Sequence, residues 1–172
     1  MTTLGVCEHG PEDGSHFKKL FDKTQLMDSR RDIHKIDCLL LWGGTDVCPA
    51  LYGEKPNAFN EAGPIPSRRD LLEWTLITEA VARGIPIIGV CRGAQLLCAF
   101  DGGTLAQDVG GHQHGHEIVT NDGETFFAQA NHHQMMLQHQ QQQSAASPPF
   151  RPERKGLFRR SPCRQRSRLL PC

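Results

Sequence analysis

The sequence predicts an α/β domain built on a parallel sheet with covering helices, and three observations predict it. The mostly apolar run from Ile36 to Trp42 ends in Gly43-Gly44. A helical repeat follows over roughly 68–83. A second apolar run, Ile85 to Val90, passes almost without a loop into a further helical pattern, Cys91 to Phe100. Strand, helix, strand, helix in this order means parallel strands joined by crossover helices.

Each element has its own local warrant. Leu4 to Cys7 reads as a short first strand, and Ser15 as the cap of a short helix with Phe17, Leu20 and Phe21 on one side. The 36–42 run is apolar almost throughout, as a strand buried on both faces requires, and its glycine pair marks a tight loop. Ser67-Arg68-Arg69-Asp70 resembles a capping box. Leu72, Leu76 and Ala80, with Ile77 and Val81, then repeat at helical spacing until Gly84 ends the pattern. Gly102-Gly103 stops the helix that begins near Cys91. Asp70 and Glu73 fall on a helix first turn, where favourable interaction with the helix dipole is sufficient explanation.

A length of 172 residues suits one domain. No stretch approaches the run of about 18–20 apolar residues that a membrane span needs. The N-terminus lacks a basic flank with an apolar segment behind it, so secretion and membrane insertion are disfavoured. Seven cysteines without paired spacing argue against a disulfide framework or structural zinc, and fit free thiols in the cytoplasm. The formal net charge of zero divides into −7 over residues 1–143 and +7 over residues 144–172. The expected organisation is a partial α/β domain over 1–137, then a Gln-rich and basic Pro/Ser/Arg tail over 138–172. That tail has too little apolar surface to offset its ordering entropy and reads as disordered. It lacks the interleaved aromatics or recognisable fold that would make its charge a nucleic-acid site.

The chemistry is expected at Cys91. Gly89-Val90-Cys91-Arg92-Gly93 is a thiol counterpart of the G-x-S-x-G nucleophile elbow, in which the sharp turn exposes the nucleophile and the glycines relieve crowding. A buried structural thiol is the commoner fate of cysteine, and it is the reading given to Cys38 and Cys98. At Cys91 the strand, the glycines and the helix N-terminus together favour a nucleophile, because partial positive charge at that terminus favours the thiolate. The Arg92 N–H would face an oxyanion formed by attack. A second donor is expected from Gly43-Gly44-Thr45, because neighbouring parallel strands bring their C-terminal ends together.

Gly89-Val90-Cys91-Arg92-Gly93-Ala94-Gln95 resembles the nucleophile motif of class I glutamine amidotransferases. The segments Leu41 to Pro49, Tyr52-Gly53, Arg69-Asp70, Gly102 to Asp108, His116 to Val119 and Asn131-His132-His133-Gln134 are similar to the γ-glutamyl hydrolase branch that includes γ-glutamyl-γ-aminobutyrate hydrolase. The resemblance covers roughly residues 36–136. It implies a flavodoxin-like, doubly wound parallel sheet, C-terminally incomplete, in which a cysteine attacks the γ-carbonyl of a γ-glutamyl amide and water releases the acyl enzyme. Carried over, it makes Cys91 the nucleophile, Gly44 and Arg92 the oxyanion donors, and Gln95, His132 and His133 substrate-binding residues. It implies no cofactor, and a small-molecule γ-glutamyl amide or glutamine as partner. The family's triad histidine belongs to a later H-P-E or H-x-E segment. This chain has none, so impaired hydrolysis is expected, the competing reading being a catalytically inactive binding or vestigial protein. An uncovered sheet edge would favour a homo-oligomer.

His112, His114 and His116 alternate and would share one face of a strand, as a metal site could require. Gly110-Gly111 and Gly115, with no completing carboxylate or thiol at familiar spacing, favour solvent-exposed loop histidines instead.

Overall fold

Leu39, Leu40 and Leu41 are completely enclosed although they are consecutive, because successive side chains of a strand point to opposite faces and both faces here are covered. In the computed structural model, which describes residues 1–7, 17 and 19–137, they belong to strand β3 (Cys38–Leu41). It is paired in parallel with β1 (Thr3–Val6) on one side and β4 (Ile87–Gly89) on the other. A further strand, β2 (Lys23–Leu26), lies parallel along the outer edge of β1. The order β2-β1-β3-β4 is that of a flavodoxin-like sheet, with its reversal of strand order between β1 and β3. Ligands of such sheets bind beyond the carboxyl ends of the strands.

One face of the sheet, carrying Leu39 and Leu41, packs on Trp74, Leu76, Ile77 and Ala80 of helix α1 (Arg68–Arg83) and on Leu96 and Ala99 of helix α2 (Arg92–Phe100). The other face, carrying Leu4, Val6, Cys38 and Leu40, is covered by Phe17, Phe21 and Trp42. Each fully buried leucine contributes about 1.5–3 kcal/mol relative to exposure. The predicted helix start at Ser15 lies outside the described residues. Of its apolar set, Phe17 meets Trp42 edge-on at a centroid distance of 5.9 Å, while Leu20 is exposed. The segment 138–172, read above as a disordered tail, also lies outside the described residues.

Helix α1 begins and ends where the sequence predicts. The Ser67 hydroxyl accepts from the Asp70 N–H, and the Asp70 carboxylate accepts from the Ser67 N–H at 2.8 Å. Gly84 closes the helix in the left-handed conformation. Two small antiparallel pairs follow the sheet: β5 (Thr104–Ala106) with β8 (Met135–Leu137), and β6 (His116–Val119) with β7 (Thr125–Ala128). Among the described residues no helix is long and apolar enough to cross a membrane.

Candidate active site

Strand β4 delivers the chain directly to Cys91, which sits at φ 52°, ψ −115° as the residue preceding α2 and is exposed. Among the described residues it is the one non-glycine with positive φ. A side chain held in such a conformation costs about 1–3 kcal/mol and persists only where its surroundings enforce it, which is characteristic of nucleophile turns. The enforcement is visible on either side. A Cβ on Gly93 would overlap the Leu41 carbonyl, and one on Gly89 would come within 2.8 Å of the Ala94 backbone nitrogen. The sheet and α2 therefore approach as closely as they do only because these positions are glycine.

The loop after β3 lies beside the thiol. A Cβ built on Gly43 would stand 3.5 Å from Cys91 Cβ and 3.9 Å from its Sγ. The predicted neighbourhood of the 43–45 loop and the elbow is thus present, produced by the parallel register that sets Leu41 opposite Gly89. As the first residue of α2, Arg92 presents one of the N–H groups that have no intrahelical acceptor.

Behind the loop and the elbow lies a charge network that the spacing of the sequence did not disclose. The Arg92 guanidinium is buried and donates to both Asp70 and Glu73, each about 1% exposed. The second Glu73 oxygen accepts from Arg69 Nε at 2.9 Å, and Arg69 Nη2 donates to the carbonyl oxygens of Trp42 at 3.1 Å and Gly43 at 2.9 Å. The second Asp70 oxygen serves the Ser67 cap. The dipole explanation given above for Asp70 and Glu73 is therefore insufficient: the two buried acids are matched by the buried Arg92 and the part-buried Arg69, which is what makes their desolvation tolerable. An available signal was Arg69-Asp70-x-x-Glu73 on one helical face, opposite the cationic residue that follows the nucleophile.

Gln95, one turn beyond Cys91, is buried, and its amide donates to the Gln134 carbonyl at 2.9 Å. His132 Nδ1 lies 3.0 Å from that same carbonyl, so one backbone oxygen joins α2 to the 131–134 segment. The Gln134 side chain in turn accepts from the Val47 N–H at 3.4 Å. His133 is turned to two carboxylates, with Nε2 3.0 Å from Asp46 and Nδ1 3.5 Å from Asp108. The predicted residues Gln95 and His132 are thus brought together, whereas both His133 nitrogens face acids that sequence reasoning had not singled out.

The alternating histidines also differ from expectation. His116 starts β6, and the rings of His112 and His116 meet at 4.5 Å while His132 approaches His112 at 5.2 Å. His114 alone of the three is exposed, because the β6–β7 pairing and the bond from the His132 N–H to the His112 carbonyl draw the other two inward. Among the described residues no group of three or more His, Cys, Asp or Glu side chains is arranged to hold a metal. Burial pushes up the Cys7, Cys38, Cys48 and Cys98 thiols, Cys7 most strongly.

Comparison with known proteins places these features in a lineage. The pattern of the Peptidase C26 family matches residues 20–152, a range that contains the 36–136 resemblance and extends beyond it at both ends. The YvdE homolog of Lactococcus lactis subsp. cremoris, which carries the name glutamine amidotransferase-like protein, is 43% identical over 88 residues, or 51% of this chain and 45% of that protein. Protein NtpR of Enterococcus hirae is 46% identical over 77 residues, 45% of this chain and 31% of its own length. Gamma-glutamyl-gamma-aminobutyrate hydrolase PuuD of Escherichia coli K12 is 42% identical over 72 residues, 41% of this chain and 27% of the enzyme. Each match spans less than half the relative's length.

Proposed function

Since the chain belongs to the Peptidase C26 family of glutamine amidotransferase-like proteins, we propose that it is a cysteine-dependent hydrolase of γ-glutamyl amide bonds, with Cys91 as nucleophile. The observation that carries this reading is the exposed Cys91 held at positive φ, beside the glycine loop after β3. The Cys91 sulfur attacks the γ-carbonyl, the carbonyl oxygen becomes an oxyanion accepted by the Gly44 and Arg92 N–H groups, and collapse expels the amine with one added proton. Water then cleaves the thioester, returning the thiol and a γ-carboxylate. Gln95, His132 and His133 border the γ-glutamyl group in this reading, and the name of the PuuD relative supports that choice of substrate class.

We infer further that turnover in this chain is slow. Among the described residues no hydrogen bond joins Cys91 to a histidine: His132 Nδ1 is engaged at Gln134 and His133 at Asp46 and Asp108. General acid–base assistance typically contributes about 10²–10⁴ in rate, so a site without it would keep residual chemistry. The test is release of p-nitroaniline from γ-glutamyl-p-nitroanilide, with glutamine as second substrate, beside Cys91→Ala. Slow release that disappears in the variant is expected. Release unaffected by Cys91→Ala would overturn the nucleophile, and Cys91-dependent turnover above about 1 s⁻¹ would overturn the impairment, being within the ordinary enzymatic range.

A further inference from the structure

We propose that Arg69 is a positioning residue that sets the direction of the Gly44 N–H and ties it, through Glu73, to Arg92, so that one side-chain network aligns both oxyanion donors. The catalytic meaning of this inference rests on the thiol-hydrolase reading, but its structural basis does not. A loop of two glycines has no side chains by which to anchor itself and has unusual conformational freedom. Here its anchor comes from outside. One Arg69 nitrogen donates to the Trp42 and Gly43 carbonyl oxygens, while Nε of the same planar group is held by Glu73.

The peptide bond converts that anchor into an orientation. In a planar trans peptide the carbonyl and the following N–H point in opposite directions, so fixing the Gly43 carbonyl against Arg69 directs the Gly44 N–H away from it. Gly44 has φ +143°, and a Cβ there would overlap the Arg69 guanidinium, so the side chain lies directly against the loop. From Glu73 the connection continues to Arg92, whose own N–H opens α2 immediately after Cys91. Three donors of one rigid fork are used at once. A lysine ammonium supplies the charge but not this planar arrangement.

Amide relaxation by NMR in wild type, Arg69→Lys and Arg69→Gln tests the positioning without requiring turnover. The Gly43 and Gly44 amides are expected to fall from order parameters near about 0.85 to below about 0.6 in both variants, with Leu39 and Leu40 unchanged. In the same proteins the rate of acylation by γ-glutamyl-p-nitroanilide should fall about 100-fold, the scale for a misplaced catalytic group and the lower end of that for a lost oxyanion donor. Alkylation of Cys91 by iodoacetamide, which forms no tetrahedral oxyanion, should stay within about twofold. Unchanged loop order in the two variants overturns the inference, as does a parallel loss of alkylation, which would mean that the nucleophile itself had moved. Loss of loop order with unchanged acylation also overturns it. Should Arg69→Gln not fold, Arg69→Lys retains the charge and carries the measurement. Loss of loop order in the variants of a protein that never releases p-nitroaniline supports Arg69 as the anchor and removes the hydrolase reading alone.

Discussion

Arg92 pairs with Glu73 across 19 positions of sequence, and neither side chain has more than about 2% of its surface in contact with water. Because Asp70 and Glu73 depend on the same guanidinium, Arg92→Met leaves two carboxylates buried with their main cation gone. Breaking a buried pair from one side costs about 3–5 kcal/mol. Urea denaturation should show a loss of this size. The triple variant Arg92→Met, Asp70→Asn, Glu73→Gln should lose less than the sum of its parts, since the charges that needed one another leave together.

Crowding at the elbow predicts a second contrast. Gly93→Ala drives a methyl group into the Leu41 carbonyl, whereas a Cβ on Gly110 meets nothing within 4 Å and needs no unusual φ. Overpacking typically costs about 1–3 kcal/mol, while open surface positions stay within about ±0.5 kcal/mol. The difference between the two midpoints in urea is the measurement, and a Gly93→Ala protein as stable as Gly110→Ala would contradict the close approach of α2 to β3.

At the start of α1 the Ser67 hydroxyl both accepts from the Asp70 N–H and donates to its carboxylate. Ser67→Ala should therefore lower stability by about 1 kcal/mol, the usual cost of an N-cap. Asp70→Ala should lose several times more, because the same side chain also holds Arg92. Equal losses in thermal unfolding would mean that capping is the whole role of Asp70.

How far the sequence foretold this molecule depended on whether the determinant was local. Ser67, Asp70 and Gly84 give α1 its ends through bonds a few residues apart, and the 36–42 and 85–90 runs announced β3 and β4 by being apolar on both faces. Gly89, Cys91 and Gly93 revealed the elbow for the same reason. Strand β2, by contrast, is Lys23-Thr24-Gln25-Leu26, polar and mostly exposed, and is a strand because β1 offers it a hydrogen-bonding edge. The pairing of β5 with β8 joins segments some thirty residues apart with the β6–β7 hairpin between them, so the local turn signals there announce that hairpin and not this pair. The role of Glu73 was hidden likewise: its partners Arg69 and Arg92 come from one nearby position and one distant one, and only the distant one explains its burial.

Protonation of the histidine stack provides a prediction in pH. His112 lies against both His116 and His132, and its Nδ1 is buried without a hydrogen-bond partner among the described residues. Removal from water, then the neighbouring His116 and His132, hold its imidazole below the ordinary value of 6.5. The unfolded chain therefore binds this proton more readily than the folded one. The contribution of His112 to stability is present above about pH 6.5 and is lost as the pH falls through the lower folded value. Unfolding measured at about pH 7.5 and about pH 5.5 should show a smaller acid-dependent loss in His112→Gln than in wild type. An identical loss in both would assign the acid sensitivity to other groups.

Among the five described cysteines, reactivity should follow exposure and access rather than number. Desolvation raises the Cys7 thiol, with Glu73 adding to the effect, and burial raises Cys38, Cys48 and Cys98 in the same direction. At neutral pH those four remain protonated, and three of them are also enclosed, while Cys91 is exposed on its turn at the head of α2. Only thiolate is an effective nucleophile toward iodoacetamide, so both factors favour the same residue. Brief treatment with limiting reagent at about pH 7, followed by peptide mapping, should label Cys91 at least about tenfold ahead of the other four. Raising the pH should increase labelling of the other four, whose thiols burial holds above the ordinary value, but only slowly while the fold excludes the reagent. Labelling of Cys38 ahead of Cys91 would mean that the elbow does not present its sulfur to solvent. The nucleophile would then have to be sought elsewhere even if the fold and family stood unchanged.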